Sequence, residues 1–86
     1  MDDSVHIASL VVLVRPELFE AVKANLCLLD NLELHQHSPA GKLVVVLEAN
    51  AEAQILQRIE QINNLPGVLN AALIYHELLA PEGDLP

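Results

Sequence analysis

IASLVVLV, from Ile7 to Val14, carries a single polar side chain, Ser9, in eight residues. A strand wetted on one face alternates apolar and polar residues, so a run with almost no alternation belongs in the middle of its sheet. One of its faces is expected to lie under helices. The other is expected to be kept open for a partner.

Working outward, Arg15-Pro16-Glu17 reads as a helix start, with proline presetting the first-turn dihedral and Glu17 and Glu20 at the positive end of the dipole. Leu18, Val22, Leu26 and Leu29 recur every three or four residues with Phe19 beside them, which predicts an amphipathic helix over 16–29. Residues 32–37 alternate, Leu32 and Leu34 against Glu33, His35 and His37, as a half-exposed edge strand does. Ser38-Pro39-Ala40-Gly41 is dense in turn formers and predicts a hairpin into KLVVVLEA, residues 42–49, the second central strand. Asn50 is placed to cap a second helix over 51–65, with Ile55, Ile59 and Ile62 on one side and Leu56 alongside. Leu65-Pro66-Gly67 turns the chain into a last strand over 68–76.

The order strand, helix, strand, strand, helix, strand gives two right-handed crossovers joined by a hairpin. The predicted fold class is α+β, ferredoxin-like (βαββαβ): a four-stranded antiparallel sheet in the order 4-1-3-2 with both helices on one face. The domain is expected over 1–77, with a flexible acidic tail over 78–86.

Helices on one face leave every strand with a buried and an open parity. The helix-facing set is read as Ala8, Leu10, Val12, Val14, Leu43, Val45, Leu47, Leu69, Leu73 and Tyr75. The open set is Ile7, Ser9, Val11, Leu13, Val44, Val46, Val68, Asn70, Ala72 and Ile74, ringed by Glu33, His35, His37, Lys42, Glu48 and His76. Such a set is too apolar for a solvated sheet and marks an interface, either between two copies of the chain or with a peptide or protein ligand. Strand ends gather Glu33, Glu48 and His76, with Glu77 adjoining, at one rim, where carboxylates can accept guanidinium groups bidentately. The plainer reading of that rim is a set of solvated strand ends.

Composition narrows the function classes. Twelve acidic residues against four basic ones give a formal charge of −8, which opposes nucleic acid and anionic lipid and draws a cationic partner. One Phe, one Tyr and no Trp leave little for base stacking. Cys27 is the single cysteine, read as a buried structural thiol, and neither CxxC nor a glycine-rich phosphate loop is present. The histidines His6, His35, His37 and His76 lack a third ligand at fixed spacing, so no metal is expected, and without a phosphate loop or a nucleophile motif no enzymatic activity is expected either. The acidic amino terminus, MDDSVHIA, is unlike an export leader, and no run reaches the length of a membrane span, so a cytoplasmic location is expected.

The segments SLVVLV (Ser9 to Val14), AGKLVVVLEA (Ala40 to Ala49), IEQINNLPGVLNA (Ile59 to Ala71) and LIYHE (Leu73 to Glu77) together resemble the NapD family. The resemblance runs from about Val5 to Glu77 in order and without gaps. It implies a cytoplasmic chaperone, without a cofactor of its own, for the catalytic subunit of the periplasmic nitrate reductase. Such a chaperone binds that subunit's twin-arginine signal peptide as a helix and holds back export while the molybdenum cofactor and iron-sulfur cluster are inserted. Leu13, where a polar residue would suit the open face, makes that face more apolar than the family pattern requires.

The signal-peptide site is expected to comprise Ser9, Val11, Leu13, Val44, Val46, Ala72 and Ile74 as floor, with Glu33, Glu48 and His76 receiving the arginines. A monomer or weak homodimer is expected. The alternatives are a homodimeric interaction domain and a small-ligand sensor of the ACT type. Arg15-Pro16-Glu17 is not the glycine-rich loop that a sensor would show there.

Overall fold

The computed structural model describes residues 5–79. They form β1 (Val5–Val14), a 3-10 turn (Pro16–Leu18), α1 (Phe19–Cys27), β2 (Leu32–Ser38), β3 (Lys42–Ala49), α2 (Glu52–Asn63) and β4 (Val68–Leu79). The strands make one antiparallel sheet ordered β2-β3-β1-β4, the ferredoxin-like arrangement with the two most apolar strands in the centre. Because β4 runs through Leu79, it takes in the first two residues of the expected tail; residues 80–86 lie outside those described.

Burial explains why these elements assemble. Ala8, Leu10, Val12 and Val14 of β1 and Leu43, Val45 and Leu47 of β3 are buried, together with Phe19, Val22 and Leu26 of α1, Ile55 and Ile62 of α2, and Ala71 of β4. No polar or charged residue is buried among them. Each fully buried aliphatic side chain stabilises the fold by roughly 1.5–3 kcal/mol relative to its exposed state. These buried side chains form one apolar layer between the sheet and the helices.

The helices differ in detail from expectation. Proline starts the first one as predicted, but Leu18 adopts φ −110, ψ 11, so the first turn is 3-10 and the α-helix begins only at Phe19. At its other end, Asn31 takes φ 58 and turns the chain into β2. Asn50 does not cap α2: the N-cap position is Ala51, and the Gln54 side-chain oxygen instead accepts the Asn50 backbone N–H at 3.2 Å. Cys27, expected to be buried, closes α1 on its exposed side.

Gly67 sets the approach of β4. Its φ is +91, and a Cβ there would lie 2.9 Å from both Leu18 Cβ and Val22 Cγ2. Its carbonyl accepts the Arg15 N–H at 2.9 Å, which ties the start of β4 to the exit of β1. Asn63, the last residue of α2, reaches the same strand: its side-chain oxygen accepts the Ala71 N–H at 2.9 Å, and its amide nitrogen donates to the Ala71 carbonyl at 3.4 Å.

The outer strands are where the expected parities fail. β3 pairs with β1 without interruption, from His6↔Ala49 to Leu13↔Lys42. β2 carries an extra residue at His35, between Leu34↔Val45 and Gln36↔Val44. β4 carries two, at Leu69 and Ile74, where its register against β1 shifts. Each extra residue is a bulge, and each exchanges the faces of the residues beyond it.

The consequences are specific. Val68, expected on the open face, pairs with Val14 and packs against the core. Leu69 and Tyr75, expected in the core, are 63% and 53% exposed, while Leu73 keeps its helix-side parity opposite Leu10 but is 44% exposed. His37, expected on the open face, pairs with Leu43 and sits beside the Phe19 ring, 5.9 Å between centroids.

Candidate functional site: the uncovered sheet face

Residues directly opposite one another in an antiparallel ladder project to the same face, so the register reads that face row by row. Glu48, Ile7 and Glu77 make one row across β3, β1 and β4. The next is Glu33, Val46, Ser9 and Tyr75, followed by Gln36, Val44, Val11 and Ala72. Ser38, Lys42, Leu13 and Asn70 form the last. Alternate residues of the same strands are buried beneath α1 and α2, so these rows belong to the side without helices.

The rows differ in chemistry along the strand direction. Glu33, Glu48 and Glu77 stand in the first two, and Lys42 stands in the last. Between them lie half-buried Val11, Val44 and Val46 and exposed Ala72, with exposed Leu13 at the far end. The face is thus an aliphatic floor with a negative end and a weakly positive one. At the negative end Tyr75 is next to Glu77 on the same face; the Glu77 carboxylate, then partial desolvation, then a hydrogen bond to Glu77 push the phenol above its ordinary range.

Of the expected site residues, Ser9, Val11, Leu13, Glu33, Val44, Val46, Glu48 and Ala72 are brought together on this face. Ile74 is the bulge residue, 57% exposed and without a partner on β1. His76 is a correction: it pairs with Ala8 and so lies on the helix side, where it meets His6. The bulge before it is the physical cause, since one added residue exchanges the two faces. The same shift delivers Tyr75 and Glu77 to the open face, and the bulge at His35 delivers Gln36. Nothing in the alternation of VLNAALIYHELL signals this, because that strand is apolar at both parities and fits either register.

A concavity of about 730 Å³ opens beside this face, between the end of β3 and α2, lined by Asn31, Glu48, Asn50, Gln54, Arg58 and Gln61 among others. Among the described residues, no group of three or more His, Cys, Asp or Glu is placed to hold a metal ion, and no helix is long and apolar enough to cross a membrane.

Comparison with known proteins gives the same picture. Residues 5–79 match the family model described as NapD protein. The chain is 33% identical over 73 residues to the chaperone NapD of Escherichia coli, covering 84% of each chain. It is 30% identical to the chaperone NapD of Haemophilus influenzae, covering 84% of this chain and 78% of that one. The solution structure of the E. coli Tat proofreading chaperone NapD superposes with a TM-score of 0.80 at 31% identity, over 100% of this chain and 92% of the other. A transcriptional regulatory protein of the AsnC family from Pyrococcus furiosus shares the fold alone, at a TM-score of 0.65 and 16% identity, over 92% of this chain and 55% of that one. The named NapD relatives are chaperones rather than enzymes. A match that spans all four strands and both helices, with the same fold, makes this chain a member of the NapD family of chaperones.

Proposed function

We propose that the uncovered face binds the twin-arginine signal peptide of the catalytic subunit of the periplasmic nitrate reductase. Binding takes place in the cytoplasm and holds back export while the molybdenum cofactor and iron-sulfur cluster are inserted. The observation that carries this is one face combining an aliphatic floor with three carboxylates at a single end. The description of the E. coli relative as a Tat proofreading chaperone supports the export role. The resemblance to NapD supplies the nitrate reductase.

A leader with two adjacent arginines ahead of a moderately apolar helix presents the complementary surface. The floor from Ile7 to Leu13 is about 20 Å long at roughly 3.3 Å per residue, which accommodates about 13 helical residues at 1.5 Å each. Guanidinium groups reaching Glu33, Glu48 or Glu77 make charge-assisted, bidentate hydrogen bonds. The formal charge of −8 steers a basic peptide towards the chaperone.

Titration calorimetry with a synthetic leader tests the proposal. Affinity falls as salt is raised, because the ion pairs are exposed. Glu48→Lys, an exposed change at the end of β3, weakens binding about tenfold without lowering the melting temperature, since it both removes an attractive charge and adds a repulsive one. Unchanged affinity, or equal binding of a leader whose two arginines are replaced by glutamine, overturns the assignment. Light scattering supplies the control on assembly: a monomer, or a weak homodimer that the leader dissociates, fits the proposal, and a tight dimer with this face occluded does not.

A further inference from the structure

The register of the last residues of β4 against β1 decides what the open face presents. In the structure, Leu73 pairs with Leu10 and Tyr75 with Ser9, leaving Ile74 as the bulge. Without that bulge the ladder would continue Ser9 to Ile74, Ala8 to Tyr75 and Ile7 to His76. Tyr75 and Glu77 would then leave the open face, and His76 would enter it.

Packing discriminates weakly between the two. Leu73 and Leu78, on the helix side of this stretch, are 44% and 56% exposed. Tyr75 and Leu79, on the other side, are 53% and 42% exposed. Where neither face is buried, hydrophobic pattern leaves register poorly specified.

One side-chain contact does discriminate. His6 Nδ1 and His76 Nε2 are 2.8 Å apart on the helix side, half-buried. The ring centroids are 5.1 Å apart while these nitrogens nearly touch, so the imidazoles meet edge to edge, one donating and the other accepting. Among the described residues this is the one side-chain hydrogen bond between β1 and β4. It can form only in the bulged register, since otherwise the two rings lie on opposite faces of the sheet.

We propose that His6 and His76 are positioning residues: their hydrogen bond on the helix side holds β4 in the bulged register, and thereby keeps Tyr75 and Glu77 on the opposite, leader-binding face. The proposal rests on the peptide-binding reading above. His6→Ala removes the bond, and His6→Gln keeps an amide able to donate and accept. In the wild type, nuclear Overhauser contacts join Tyr75 to Ser9. In His6→Ala these weaken in favour of contacts to Ala8, and leader affinity falls about fivefold, the size of effect expected for one neutral hydrogen bond. His6→Gln restores both.

A double-mutant cycle with Glu77→Gln separates positioning from general damage to the fold. If His6 acts through Glu77, then Glu77→Gln weakens leader binding severalfold in the wild type and hardly at all beside His6→Ala. Additive losses, or wild-type Tyr75 contacts in His6→Ala, overturn the positioning role while leaving the peptide-binding proposal intact. Loss of the Glu48→Lys effect with the histidine pair unaltered overturns that proposal instead. Should His6→Ala not fold, the same cycle is run with His6→Leu, which keeps apolar volume but cannot hydrogen-bond.

Discussion

The two sides of β1 differ in how their register is held. Towards β3 the ladder runs uninterrupted through eight pairs, and every second residue is buried beneath the helices. Towards β4 it is broken twice, and most of the large apolar side chains from Leu73 onwards are exposed on both faces. A register slip on the β3 side would drive Val44 and Val46 into the core and expel Leu43, Val45 and Leu47, so burial forbids it. On the β4 side past Ile74 there is little burial to lose. Register there depends less on burial, and the bulge sets which side chains of β4 the open face presents.

Leu10 and Leu73 put this difference in one pair, since they lie directly opposite each other across β1 and β4. Leu10 is 0% exposed and Leu73 is 44% exposed. Leu10→Ala leaves a cavity beneath the helices and costs about 3 kcal/mol, enough to lower the melting temperature by more than about 10 °C in a domain of this size. Leu73→Ala costs less than about 1 kcal/mol. Thermal melts of the two variants measure the contrast directly, and equal losses would mean that β4 is as firmly packed as β3.

That contrast also marks how far the sequence can be read. The element order, the central pair and the burial of Ala8, Leu10, Val12, Val14, Leu43, Val45 and Leu47 are all legible, because a core strand's composition records the cover on each face. Residues 70–73 also keep their expected faces, with Asn70 and Ala72 open and Ala71 and Leu73 on the helix side. The bulges at His35, Leu69 and Ile74 are not legible: none involves glycine, and each lies in an outer strand whose side chains suit either face. Alternation therefore reveals the floor of the open face but not the part of its rim that β4 supplies. It assigns Tyr75 to the core, and it gives His76 the position that Glu77 occupies.

At the boundary between the firm and loose halves of β4 stands Ala71, whose backbone is held by the Asn63 side chain. This amide does for the outer edge what a fifth strand would do. Asn63→Leu removes both bonds and leaves the edge open there, at a cost of about 1–2 kcal/mol. Hydrogen exchange sharpens the comparison: the Ala71 amide loses protection in the variant, and the amides of β3 keep theirs up to the reduced global stability. Unchanged exchange at Ala71 would show that the edge is closed by something other than this side chain.

The smallest effect probes the loose half itself without disturbing the fold. Tyr75 and Glu77 share the open face, and the carboxylate is the largest cause of the phenol's raised pKa. A neighbouring negative charge disfavours phenolate, so ionisation in the wild type has its midpoint above the ordinary phenol value of 10.0. Glu77→Gln removes that charge and moves the midpoint down, which ultraviolet titration of the single tyrosine reads without interference from tryptophan. An arginine-bearing leader bound at the same rim neutralises Glu77 and moves the midpoint in the same direction, even though Glu77 is still in place. A midpoint that falls with Glu77→Gln but not with the leader would place the arginines at Glu33 and Glu48 instead, on the β2 and β3 side of the face, whose register burial secures.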